Sequence, residues 1–98
     1  MMRFSSIQLQ GDRLKVAGPF TPVDGAQVQL IDFTLAQAGV AVQGQGNMEA
    51  TGNWSGEVAA GGMQLGPAFA FGTVHMTTPV TPPGFQTFTW FEQVEVSA

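Results

Sequence analysis

The sequence predicts an all-β chain: an antiparallel two-sheet sandwich of seven to nine short strands, with residues 1–98 forming one domain. Three observations carry this. Apolar and polar residues alternate along most of the chain, the period of a strand with one buried face. Turn-forming residues recur at intervals of roughly ten, as in sandwiches and small barrels. Finally, only one stretch competes as a helix, and its pattern favours a strand.

In order, FSSIQLQ and RLKVAG flank Gly11-Asp12, a two-residue hairpin signal in which Gly supplies the positive φ of a type II′ turn. GPFTPVDG has the composition of a loop. The ambiguous stretch is AQVQLIDFTLAQAG. Asp24, Gln27 and Gly39 could cap a helix there. However, Val28 and Leu30 alternate with Gln27 and Gln29, and the phase then shifts to Ile31, Phe33 and Leu35. A strand with a bulge explains both. GVAVQGQGN alternates again, residues 47–60 read as two short segments around Gly52 and Gly56, and AAGGMQLGP reads as a loop or broken edge strand. AFAFGTVHMT and QTFTWFEQVEV are the clearest strands, separated by proline-rich TPVTPPG. The pattern is like that of immunoglobulin-like or jelly-roll-like sandwiches, but no family motif accompanies it.

Composition narrows the function classes. Charged residues make up 10% of the chain and hydrophobic ones 44%, against about 25% charged in ordinary domains. A surface with few ionic heads suits contact with other protein or polymer. The net charge is −4, and the three basic residues, Arg3, Arg13 and Lys15, all lie near the N-terminus. Phosphate neutralisation needs clustered cations, so neither nucleic acid nor an anionic membrane is an expected partner. No cysteine is present, which excludes disulfides and thiolate chemistry. The N-terminus lacks the apolar core of a signal peptide, and no apolar run nears the roughly 18 residues of a membrane helix. The Met-Met start reads as natural, and a cytoplasmic or virion- or assembly-associated setting is expected.

Residues with catalytic potential are isolated. His75 is the sole histidine, and none of Ser5, Ser6, Ser55 or Ser97 stands in a nucleophile context. One histidine without cysteine makes a poor metal site. GQGNME lacks the third glycine and the helix of a dinucleotide fingerprint. Glu49 and Glu57 flank the Trp54 segment as a carboxylate pair, a pattern more typical of solvated strand ends. PVTP at 79–82 has PxxP spacing without a basic anchor. No enzyme activity, cofactor or metal is expected.

Asn53-Trp54-Ser55 fits the N-glycosylation triplet, but with no secretory address Asn53 is expected to be unmodified. Of the two tryptophans, Trp90 sits in strict alternation and is expected in the core. Trp54, beside glycines, is expected to be exposed. Glu92 shares parity with apolar Phe88, Trp90, Val94 and Val96. A bulge turning it outward is expected, with pairing to an arginine or backbone donor the next alternative.

The most informative feature is aromatic residues on both parities. In 68–77 the even positions are small or aliphatic, while Phe69 and Phe71 are odd. Phe91 is also odd, with Phe85 before it. A two-layer sandwich buries one face of each sheet, so one of these faces must meet a partner or be covered by TPVTPPG or the N-terminal segment. The expected function is a non-catalytic structural or protein-binding module that self-associates or docks into a larger assembly through Phe69, Phe71, Phe85 and Phe91. The second reading is a carbohydrate-binding module stacking a sugar on Trp54, helped by Asn53 and Gln45.

Overall fold

The computed structural model describes residues 2–21, 26–49, 52–78 and 84–98; the PVTP motif and most of TPVTPPG lie outside these. Seven strands follow in chain order: β1 (Ser6–Gln10), β2 (Arg13–Pro19), β3 (Gln27–Gln37), β4 (Val40–Met48), β5 (Asn53–Ala59), β6 (Gly66–Thr78) and β7 (Gly84–Val96). All belong to one antiparallel sheet in the order β1-β2-β5-β4-β3-β6-β7. The expected two separate sheets are therefore corrected to one curled sheet. Its curl brings the outer strands together: Ser97 N donates to Ile7 O, and Leu9 N donates to Ser97 O, a parallel bridge between the C-terminus and β1. A twisted sheet that curls this far covers its own inner face, so a second sheet is unnecessary.

Local chemistry explains the elements. The β1–β2 turn places Gly11 at φ +63°, and no non-glycine described residue has positive φ. This is the sign pattern of the expected type II′ turn. Residues 27–37 form a strand, not a helix, and its register with β6 shifts between Val28 and Leu30. That bulge lets Ile31, Phe33 and Leu35 all point inward, where each is buried. Residues 53–59 pass through Gly56 as one strand rather than two short segments.

The inner face is filled by Trp54, Phe33, Ile31, Leu14, Leu35, Val16 and Val74, all buried. Glycines in the strands make room for the rings. Gly72 lies directly opposite both Phe33 on β3 and Trp90 on β7. A Cβ on Gly46 would meet the Trp54 ring at 2.7 Å. The large rings occupy space that the neighbouring strands leave empty.

The two tryptophans reverse their expected order of burial. Trp54 is completely buried, whereas Trp90 is only half-buried at the sheet's margin. Residues 3–5 account for this. Arg3 N donates to Pro19 O and Ser5 N to Ala17 O, extending the β1–β2 pairing. The Arg3 carbonyl accepts from Trp54 Nε1 at 3.0 Å, and a Cβ on Gly18 would lie 1.8 Å from that carbonyl oxygen. Phe4 then packs with ring centroids 5.2 Å from both Trp54 and Trp90. The N-terminal segment thus seals Trp54 from the inner side.

Candidate functional site: the outer face of β6 and β7

Side chains on β6 divide by parity. Ala68, Ala70, Val74 and Met76 are buried, while Phe69 and Phe71 are exposed by 50% and 45%. The antiparallel register sets Phe71 directly opposite Phe91. Phe91 is 63% exposed, and its ring stacks on Phe69 at a centroid distance of 5.5 Å and 17°. Three phenylalanines therefore form one contiguous aromatic patch on the outer face. Thr34, Thr73, Thr89 and Gln93 frame it, by their register with Phe71, with one another and with Phe69. Beside Phe69, a shallow hollow of about 330 Å³ runs along the β3–β4 turn, lined by Ala36–Ala41.

The remaining expected contact residue stands apart. Phe85 is on the same face and 87% exposed. It stands six positions before Phe91, however, so it lies about 20 Å along β7, at the far end of the hairpin. There residues 85–89 are exposed on both faces of the strand. Phe88 points to the inner side, stacks on Trp90 at 6.2 Å and is still 37% exposed. Parity in the sequence revealed the outer rings but could not separate the Phe69–Phe71–Phe91 patch from Phe85.

The sugar-binding constellation does not come together. Trp54 presents no ring face to solvent. Gln45 and Asn53 are both exposed, but β4–β5 pairing runs from Gly46–Gly56 to Met48–Trp54. That places Gln45 and Asn53 at opposite ends of the paired segment, roughly 13 Å apart along the strand direction.

Ionic groups are dispersed. Glu92 is not turned outward by a bulge, since the β6–β7 register is unbroken from Gly66–Val96 to Thr78–Gly84. It points inward, where its carboxylate accepts from Phe4 N and from Arg3 Nε. A side-chain carboxylate thus supplies the acceptor that fastens the N-terminal segment to β7. Next to this contact, Met2, Arg3, Phe88 and Trp90 line a groove of about 300 Å³. Arg13 pairs with Glu57 across exposed surface at 2.9 Å. His75 lies 3.4 Å from Asp32 on the outer face. The hydroxyls of Ser5 and Ser97 donate to the carbonyls of Ala17 and Ile7. Among the described residues, no group of three or more His, Asp or Glu could hold a metal ion, and no helix is long and apolar enough to cross a membrane.

No protein-family model matches the chain, and comparison with curated proteins finds no match. Among solved structures, murine CRIg superposes with a TM-score of 0.54 at 11% identity, covering 99% of this chain and 95% of that one. CRIg is an immunoglobulin-like domain. The backbone path here is similar to that of an immunoglobulin-like domain, with the seven strands in one curled sheet. At this identity the likeness is one of backbone path, and it assigns no residue a role.

Proposed function

We propose that this domain is a non-catalytic structural or protein-binding module. It self-associates or docks into a larger assembly through the outer face of β6 and β7. The observation that carries the reading is the exposed Phe69–Phe71–Phe91 patch, aromatic at its centre and uncharged at its threonine and glutamine rim. Aromatic centres with polar rims are the usual anatomy of protein contact sites, and contiguous exposed apolar surface marks them. The low charge of the whole chain supports the same reading. The carbohydrate reading loses its platform with the burial of Trp54.

Replacing Phe69 and Phe71 together by threonine tests it. Threonine preserves strand preference, and the rings project outward, so circular dichroism should be unchanged. Each ring is already half-buried in the monomer, so losing both should remove about 1.5–3 kcal/mol of contact energy. This corresponds to roughly ten- to hundredfold weaker association, read by light scattering over a concentration series. A folded double variant that associates like the parent would refute the patch as a contact surface.

A further inference from the structure

The exposed hairpin end carries a second feature: a strand edge to which no described residue makes a main-chain hydrogen bond. Ser97 directs both its N–H and its C=O at β1. The register of β7 with β6 runs without a shift from Val96 to Gly84, so main-chain direction alternates strictly back along β7. Even-numbered residues therefore bond to β6. The main-chain groups of Phe85, Thr87, Thr89 and Phe91 point away from β6, and among the described residues none bonds to them, although Met2 and Arg3 border the groove beside Phe91.

Exposed edges in monomeric proteins are normally protected by lysine, proline, a bulge or an inward charge. Between Gly84 and Phe91 there is none: the segment reads GFQTFTWF and carries no charge. Its phenylalanines are exposed on both faces, Phe85 outward and Phe88 inward.

We propose that this edge is a strand-addition site for a second copy of the chain, the two β7 strands pairing antiparallel about a two-fold axis at Phe88. The proposal rests on the protein-binding reading above, and it names the partner and the edge. Register follows from charge and hydrogen bonding. Outward-directed residues must face outward-directed residues, so the axis falls on a residue and not between two; at Thr87 only three such pairs form, and at Thr89 Glu92 comes to lie within the paired segment, opposite Gln86. With the axis at Phe88, Phe85 faces Phe91 of the second copy and Thr87 faces Thr89. These four pairs exchange two hydrogen bonds each, about eight in all. The stack of Phe69 on Phe91 then continues onto Phe85 of the second copy. Glu92 falls opposite Gly84, at the end of the paired segment. Moving the axis to Trp90 sets Glu92 against Phe88 and Glu95 against Phe85. Moving it to position 92 sets Glu92 against itself, a like-charge pair that disfavours the register.

The available area suits a reversible dimer. Phe85, Phe88 and Phe91 offer roughly 370 Å² of exposed side chain per copy, taking about 200 Å² for a fully exposed ring. Edge pairing covers only the seam-facing part of these rings, so the interface stays below the about 1,200 Å² of stable interfaces, as a reversible dimer requires.

Three measurements on the full chain test this. Sedimentation equilibrium should show a reversible dimer. The variant carrying Thr87→Lys and Thr89→Lys places ammonium groups opposite each other twice across the seam. It should keep its circular dichroism spectrum and associate at least about tenfold more weakly. The chain has no cysteine, so Phe88→Cys introduces a single thiol at the axis. There the two Cα atoms should lie about 4.5 Å apart, within disulfide range, and a disulfide-linked dimer should form faster than with Gln93→Cys. A parent chain that stays monomeric at high concentration overturns the proposal. So does undiminished association of the lysine variant, or equal cross-linking by the two cysteine variants. If Phe69→Thr with Phe71→Thr abolishes association while the lysine variant does not, the outer-face reading stands and the edge proposal fails. The reverse result keeps the edge and removes the face.

Discussion

Trp54 is placed by contacts that no local pattern around it displays. Its ring lies over Gly46, its indole N–H donates to Arg3 O, and Phe4 meets its edge. Trp90 packs against Phe4 and Gly72 from the sheet margin, and its Nε1 is buried without a partner. The two residues should therefore respond differently to the same changes. Trp54→Ala should cost roughly 3–5 kcal/mol in denaturant melts, and Trp90→Ala distinctly less. Trp90→Phe should be close to neutral, because it removes an unsatisfied donor, whereas Trp54→Phe orphans a buried carbonyl. Equal losses would show that the margin is as tightly packed as the centre. Glu92 is a second residue whose role lies in a distant partner. Glu92→Ala leaves the amide of Phe4 without its acceptor and should cost about 1–3 kcal/mol. Glu92→Gln keeps an acceptor oxygen and should cost less, since the Arg3 side chain that also contacts the carboxylate is 62% exposed and its pairing is screened by solvent. Asn53 belongs to an N-x-S triplet yet sits on strand β5, paired with Pro19. Intact mass of protein from its native source should show no glycan there.

Strands were legible because alternation is a local property. The parity of β6 and β7, the strand over residues 27–37 and its bulge all follow from which side chains must share a face. What alternation omits is the identity of the neighbour across the ladder. Gly52 and Gly56 beside Trp54 suggested an exposed ring, yet the glycine that shapes its pocket is Gly46, on β4. The inward carboxylate of Glu92 suggested a bulge because its acceptor role depends on Phe4, at the other end of the chain. The aromatic patch was legible as a face but not as a cluster, since only the β6–β7 register sets Phe71 opposite Phe91 and leaves Phe85 distant. Gly18 on β2 tests the cross-ladder account. Its missing side chain is replaced by the Arg3 carbonyl, and a Cβ there would meet main chain rather than a movable side-chain tip. Gly18→Ala should therefore displace the N-terminal segment and cost roughly 1–3 kcal/mol or more. Trp54 fluorescence should shift as its ring becomes wet. Unchanged emission and stability would mean that the segment can lift without exposing the ring.

At the scale of the whole molecule, one sheet replaces two because its outer strands meet. The meeting is incomplete. Main-chain hydrogen bonds join β1 to the C-terminus at Ser97, the Glu92 side chain spans to Phe4, and among the described residues no main-chain hydrogen bond meets the edge of β7 from Phe91 to Phe85. Hydrogen exchange should read this division amide by amide. In a dilute, monomeric sample the amides of Leu9 and Ser97 should be protected, because each is bonded across the seam. Along β7 protection should alternate. Gln86, Phe88 and Trp90 donate to β6 and should exchange slowly, whereas Phe85, Thr87, Thr89 and Phe91 face outward and should exchange at rates near those of open chain. Raising the concentration should slow these outward amides as a group while leaving the even-numbered ones almost unchanged, since strand addition engages one side of β7 alone. Uniform protection along β7 in the monomer would mean that another part of the chain already covers the edge. A rise in protection confined to residues around Phe69 and Phe71 would place the contact on the outer face without main-chain pairing.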